Sequence, residues 1–449
     1  MNCLCPPGCA GSLSACVRGA WRLAVALALA LSAAAAWAQG AGLTQQALYE
    51  RVRPSVVEVK IEVKGNHGIS SSASGFITQR PDLVVTNYHA ISEAVYEPEQ
   101  HRISIHASGQ SKLAARLLAI DVRHDLALLQ LEQPLQAAPL TLRTNQPVKG
   151  ENGYSMGKPG GYELGIVAGS FNGMSDNETT PLIVFSGPIN AGMSGGPALD
   201  REGRVVGVNV ASSTQHQLVG LLVPAQVLSE LIHRGASAQP DNAQLRADIA
   251  GQIARFGQLQ MQRMDSGLQT RRQLGPFTVR GDLADGRSCG TDRNTNPHWR
   301  FTLVAQRCQA AAGLYIMDKR YGGSINSSAF WLRGHGLNGL QMASAVERRL
   351  YALRTLTDDP TDSDPWRCTE RRMNTPAGLT VHLHACRRPV PKLPGLHDYR
   401  FRYTPLLAGN DALVASMALS GFDEATAQAA LRKAIASVRW NPPAGKEAP

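Results

Sequence analysis

Three short stretches carry side chains that could do chemistry together. Val84-Val85-Thr86-Asn87-Tyr88-His89-Ala90 is an apolar β-type run leading to a histidine. His124-Asp125-Leu126-Ala127-Leu128-Leu129 puts an aspartate at the head of an apolar strand. Ala191-Gly192-Met193-Ser194-Gly195-Gly196-Pro197 sets a serine among glycines. A serine hydroxyl is a weak nucleophile at neutral pH and needs a base to take its proton as it attacks. His89 suits that task because an imidazole titrates near neutrality. Asp125 can hold the imidazole in one tautomer by accepting a hydrogen bond from its other nitrogen. The glycines let the backbone curl so that the Gly192 and Ser194 N–H groups, two residues apart, point at one spot. Such a pair forms an oxyanion hole, where losing one donor costs about 3–4 kcal/mol of transition-state stabilisation. Together these groups are equipped for acyl transfer at a carbonyl.

The elements around them must bring three distant segments to one place. Leu43 to Arg53 reads as a short helix stopped by Pro54. From Ser55 to about Val223, short β-type runs follow one another, separated by Gly, Pro, Asn and Asp clusters. That spacing predicts an all-β sandwich or barrel. About 170 residues of it would fit two small barrels. Pro224 to His233 reads as a helix closing the β unit, and Gly235 to Gln239 as a small-residue linker. Leu245, Ile249, Ile253, Phe256 and Leu259 then recur at helical spacing, which predicts one apolar helix face packed on a neighbour. Residues 270–445 read as a separate α+β domain. Its strand candidates are Trp299–Val304, Leu379–Cys386, Tyr399–Tyr403 and Leu413–Ser420, and Asp423 caps a last helix running to Trp440.

The order His, Asp, Ser in an all-β setting is that of a chymotrypsin-type triad. Thr86-Asn87-Tyr88-His89-Ala90, Asp125-Leu126-Ala127-Leu128-Leu129 and Ser194-Gly195-Gly196-Pro197 resemble the three motifs of trypsin-like serine proteases. The sequence is most similar to the HtrA/Deg branch of bacterial envelopes. Arg204-Val205-Val206-Gly207-Val208-Asn209 and the turn Gly157-Lys158-Pro159-Gly160 extend the likeness, which covers about residues 43 to 235. The resemblance implies a double β-barrel with the site in the cleft between barrels. It also implies His89 as base, Asp125 as its orienting carboxylate, Ser194 as nucleophile and no cofactor. Met193 stands where the branch usually carries Asn, and no PDZ domain follows the protease. By the same resemblance Pro188, six residues before the serine, floors the specificity pocket, and Asn209, Val210, Ala211, Ser212 and Ser213 line one wall. With no acid at that floor, cleavage is expected after small or medium apolar residues.

Composition sets the outer limits. The chain has 449 residues, 43% hydrophobic and 18% charged, which excludes wholesale disorder. Residues 1–38 read as a secretory leader: Arg18 and Arg22 precede an apolar run, and Ala36-Trp37-Ala38 is an A-x-A cleavage site. The alternative is an uncleaved anchor, for which the apolar run is short. No other segment could span a membrane. Four cysteines follow the leader: Cys289, Cys308, Cys368 and Cys386. An even count in an exported chain predicts two disulfides, with three possible connectivities. Pairing neighbours, Cys289–Cys308 and Cys368–Cys386, is the expected one. A four-Cys zinc site is the alternative, without C-x-x-C spacing to support it.

His382, His384 and His397 could bind a metal, but exposed strand histidines are commoner and no metal is expected. The net charge of +10, with Arg271-Arg272 and Arg367 with Arg371-Arg372, could meet anionic lipid or cell wall, or form a solvated face. No nucleic-acid motif accompanies it. The sequence therefore predicts an all-β, trypsin-like double-barrel protease domain (39–235) after a leader (1–38). A linker and amphipathic helix (236–270) and a disulfide-bearing α+β domain (271–449) follow. The predicted function is that of an exported, periplasmic serine endopeptidase acting on protein or peptide substrates. Its C-terminal domain would meet a regulatory or envelope partner or control the cleft. The rival class is a silent protease-fold scaffold that binds through the C-terminal domain.

Overall fold

The computed structural model describes residues 43–441, apart from 66–67, 161, 176–179, 213–217, 267–270, 281–288, 295–299, 310–312, 318–319, 356–364 and 408. The expected leader lies outside the described residues. Among those residues the chain forms two closed antiparallel barrels of six strands each, followed by further sheets.

The first barrel comprises β1 (Val56–Val63), β2 (Ile69–Ile77), β3 (Leu83–Thr86), β4 (His101–Ala107), β5 (Leu113–Asp121) and β6 (Leu126–Leu131), in the order β1-β2-β3-β6-β5-β4. Its strands are short and rich in Val, Ile and Leu, which fit a half-buried pleated surface. The second comprises β7 (Asn152–Gly157), β8 (Gly165–Met174), β9 (Ile183–Phe185), β10 (Pro197–Leu199), β11 (Val205–Ser212) and β12 (Gly220–Pro224), in the order β10-β11-β12-β9-β8-β7.

Helix α1 (Gln45–Val52) begins where Thr44 accepts a hydrogen bond from the Ala47 amide, and Arg53-Pro54-Ser55 continues it as one 3₁₀ turn into β1. The short helix α2 (Ser92–Tyr96) follows His89. Helix α3 (Ala225–Gly235) closes the second barrel. Leu48 and Val52 of α1 join Leu228, Leu231 and Ile232 of α3 in the apolar seam with Met156, Leu199 and Val208. One helix at each end of the β unit thus caps the junction of the barrels.

Helix α4 (Asn242–Ser266) opens with a reciprocal cap: the Gln244 amide donates to Asp241 and the Asp241 amide to Gln244. Leu245, Ile249, Ile253 and Phe256 are buried, as their spacing predicts, whereas Leu259 is 38% exposed and Met261 is buried instead. The apolar face packs into the core of the first barrel with Ile91, Val95, Tyr96, Ile120 and Val122.

The C-terminal part pairs β13 (Arg271–Leu274) with β14 (Phe277–Arg280). A seven-stranded sheet follows, built from β15 (Cys289–Asn294), β16 (Phe301–Gln309), β19 (Ser324–Gly334), β20 (Arg367–Asn374), β21 (Thr380–Pro389), β22 (His397–Pro405) and β23 (Asp411–Phe422). Its order is β15-β16-β19-β23-β22-β21-β20. Between β16 and β19 the chain makes a hairpin, β17 (Leu314–Met317) and β18 (Arg320–Gly322). Helix α5 (Gly339–Thr355) covers one sheet face through Met342 and Ala345 on Phe330, Leu332 and Val414. Helix α6 (Glu424–Ala436) covers the other through Ala427, Ala430, Leu431 and Ile435 on Tyr399, Phe401 and Leu413. Asp423 caps α6 as expected, accepting from the Thr426 amide. The helix ends at Ala436 rather than Trp440, because Arg439–Trp440 leaves to form β24 beside β14. The disulfides are Cys289–Cys308 and Cys368–Cys386, each joining directly paired strand positions.

Candidate active site

The register of β3 on β6 brings two of the three chemical residues together. Thr86 pairs with Ala127 in an antiparallel ladder, so the chain just past β3 meets the chain just before β6. His89 lies on the first of these segments and Asp125 on the second. Asp125 sits at φ +56, a left-handed conformation that Asp tolerates better than most residues. There its carboxylate accepts from the His89 backbone amide at 2.8 Å through Oδ1 and contacts His89 Nδ1 at 2.5 Å through Oδ2. Its own carbonyl accepts from the Tyr88 amide at 3.2 Å and from Asn87 Nδ2 at 2.8 Å. Four contacts thus fix one segment on the other.

Burial opposes ionisation of His89, but the charge and hydrogen bond of Asp125 outweigh it and hold the imidazole pKa above the usual 6.5. With Nδ1 committed to Asp125, Nε2 is the nitrogen left to exchange a proton. The side chain is 35% exposed, so a substrate can reach it.

Ser194 stands on the loop between β9 and β10, half-buried. Gly192 has φ +92, and a Cβ there would lie 2.5 Å from the Lys158 carbonyl oxygen. Gly195 has φ +83, and its Cβ would lie 2.2 Å from the Ser74 carbonyl and 2.5 Å from Thr86 Oγ1. Only glycine allows the serine loop to press against the strand that leads to His89. The loop turns through the Met193 amide donating to the Asn190 carbonyl. Neither the Gly192 nor the Ser194 amide donates to a protein acceptor among the described residues. Met193, the departure from the usual Asn, turns its side chain into the core of the second barrel beside Phe171, Phe185 and Leu222.

Sequence reasoning missed Ser74, on β2. Its amide donates to the Ser194 carbonyl at 2.8 Å and its hydroxyl to the Gly192 carbonyl at 2.7 Å, while the Lys158 amide donates to that hydroxyl at 2.8 Å. This buried side chain ties the first barrel to the serine loop and to the Gly157–Gly160 turn. Its only sequence signal was a serine-rich stretch, Ser70-Ser71-Ser72-Ala73-Ser74. A second tie is the Lys158–Glu58 ion pair at 2.6 Å. Burial resists ionisation of Glu58, but Lys158 and Ser72 hold its carboxyl below the usual range.

The expected pocket residues fall in different settings. Pro188 is exposed, and the neighbouring Ile189 is buried against Gly220. Asn209 is fully buried, with its side chain bonded to Ser155 Oγ, the Met156 carbonyl and the Met193 carbonyl, so it braces the serine loop from beneath. Val210 is half-buried, the backbone of Ala211 and Ser212 continues β11, and Ser213 lies outside the described residues. His382 and His384 share one face of β21 near Glu370, while His397 starts β22 opposite Pro389. Cys368, His384 and Cys386 cluster, but the two sulfurs are bonded to each other and offer no thiolate.

Residues 73–208 match the sequence model of the trypsin-like peptidase domain. The chain is 29% identical over 197 residues to "Protease Do-like 5, chloroplastic" of Arabidopsis thaliana, covering 37% of this chain and 60% of that protein. It is 33% identical over 144 residues to "Probable periplasmic serine endoprotease DegP-like" of Pseudomonas fulva, covering 31% of this chain and 29% of that one. It therefore spans only part of the length of these relatives. A solved serine endoprotease from Yersinia pestis overlays with a TM-score of 0.38 at 19% identity, covering 43% of this chain and 67% of that one. Twin closed barrels, a matched domain sequence and relatives named as serine proteases lead to one assignment: this chain carries a trypsin-like peptidase domain similar to those of the HtrA proteases.

Proposed function

We propose that this chain is an exported serine endopeptidase. Ser194 attacks the scissile carbonyl while His89 takes its proton through Nε2. Asp125 orients the ring and stabilises the imidazolium that forms. The Gly192 and Ser194 amides receive the oxyanion. His89 then returns the proton to the leaving amine, and water, activated the same way, hydrolyses the acyl-enzyme. The observation that carries this reading is the double grip of Asp125 on His89, at backbone amide and ring nitrogen together. Such a grip fixes both the tautomer and the position of a general base.

Export to the periplasm belongs to the same proposal. It is supported by the two disulfides, which persist in oxidising compartments. A preference for small or medium apolar residues before the scissile bond follows from a pocket without an acid at Pro188. The test is a fluorophosphonate probe on the full chain beside Ser194→Ala, with the label located by mass spectrometry. Labelling at Ser194 that the variant loses is the expected result. A folded chain that never labels overturns the reading in favour of a protease-fold scaffold.

A further inference from the structure

The C-terminal part reaches the candidate site. In β17, Leu314 and Ile316 point one way and are buried in the core of the first barrel. Tyr315, between them, is partly buried and packs against the edge of the same core. There its ring meets the His89 ring edge-on, with centroids 6.2 Å apart and planes at 82°. It also meets Tyr88 at 6.2 Å and, from behind, Tyr321 of β18 at 5.8 Å.

The hairpin is held from below. The buried Tyr88 hydroxyl, adjacent in sequence to His89, donates to the Ile316 carbonyl at 2.8 Å and lies 3.0 Å from the Tyr96 hydroxyl. Helix α4 grips the other half of the pair. Gln252 accepts from the Val122 amide at 2.9 Å and donates to the Ile120 carbonyl at 3.0 Å, at the start of the loop that carries Asp125.

We propose that Tyr315 is a positioning residue for His89, so that the C-terminal part is a working component of the active site and acts in cis on the proton transfer. This rests on the proposed function of that site. The hydroxyl of Tyr315 is not needed for an edge-on ring contact; the ring is. The imidazole must pass a proton between serine and leaving group without swinging away from Asp125, and a ring packed against it limits that motion.

The test uses the full chain, with Tyr315→Ala, Tyr315→Phe and Tyr315→Leu. Two readouts are taken. The first is the rate of fluorophosphonate labelling at Ser194. The second, independent of activity, is the downfield proton NMR signal of the His89 Nδ1–H bound to Asp125, assigned by its loss in His89→Gln. Positioning predicts that Tyr315→Ala and Tyr315→Leu slow labelling about tenfold and broaden or shift that signal. Tyr315→Phe restores both, at unchanged melting temperature between the Leu and Phe variants. An unaltered His89 signal in folded Tyr315→Leu overturns the inference, whatever the labelling does. If the natural chain does not label at all, the proposed function fails while the NMR arm still decides the role of Tyr315.

Discussion

The pairing of His89 with Asp125 sets how the site should respond to pH. A base works in its neutral form, and Asp125 stabilises the charged form, so the neutral form is reached only above the usual histidine value of 6.5. The labelling rate at Ser194 should therefore rise with pH along a single titration centred above 6.5. Asp125→Asn removes the charge that holds the pKa up and leaves an amide that can favour the wrong tautomer. It should lower the midpoint and cut the plateau rate by on the order of ten-thousand-fold. A variant that shifts neither would mean that Asp125 does not govern the imidazole. These residues were legible in the sequence because each sits in a short motif whose neighbours constrain it. Ser74 was not legible. Its partners, Gly192 and Lys158, lie more than 80 residues away, and nothing local to β2 distinguishes a bridging serine from a solvated one.

Among the elements, the disulfides occupy a telling place. β15 and β20 are the two edge strands of the seven-stranded sheet, and each is stapled to its inner neighbour, β16 or β21. Both edge strands are almost wholly exposed and polar, so they have little apolar burial to hold them. A cross-link closing a loop of this length contributes about 3 kcal/mol by restricting the unfolded chain. Reduction, or paired Cys→Ser changes, should thus free the sheet edges. The expected signs are a lower melting temperature, and faster amide exchange in β15 and β20 than in the central β19 and β23. Unchanged exchange at the edges would contradict this. Element positions followed from periodicity where one face is buried, as in α4. They failed where a distant partner decides the outcome. Arg439–Trp440 reads as helix from its neighbours, yet pairing with β14 makes it a strand. The β17–β18 hairpin was invisible for the same reason, since the surface that buries Leu314 and Ile316 belongs to a barrel some 200 residues earlier in the sequence.

For the whole molecule, the sequence suggested a protease unit followed by a separate α+β domain, with the helix between them packed on a neighbour. The shared core shows how closely the two are joined. Ile249, Ile253 and Phe256 of α4 and Leu314 and Ile316 of β17 lie in the same buried cluster as Ile91, Val95, Tyr96, Ile120 and Val122 of the first barrel. Cutting the chain after residue 240 strips that face. Each large apolar side chain returned to water costs about 1.5–3 kcal/mol, so exposing five, such as Ile91, Val95, Tyr96, Ile120 and Val122, costs roughly as much as the whole margin of an ordinary domain. The truncated chain should be insoluble or melt far below the full one, and it should not label more strongly at Ser194. A soluble, hyperactive fragment would show instead that the C-terminal part is a removable brake.

The hairpin beside His89 also ties the site to the order in which the chain is made. β18 runs through Gly323 directly into β19, which lies in the sheet between β16, made before it, and β23, made after it, the latter paired from Ser324 on Ser420 to Arg333 on Asp411. The Gly323 amide itself donates to the Ser420 carbonyl. Contacts this remote in sequence form late. The strands of both barrels are made before β17, since β12 ends at Pro224, so Tyr315 takes its seat beside His89 only after the barrels' own segments have been synthesised. The nascent chain would thus hold His89 unbraced while its barrel strands are being made. The candidate site would be complete only after that, once the hairpin has been made and Tyr315 is seated against the His89 ring.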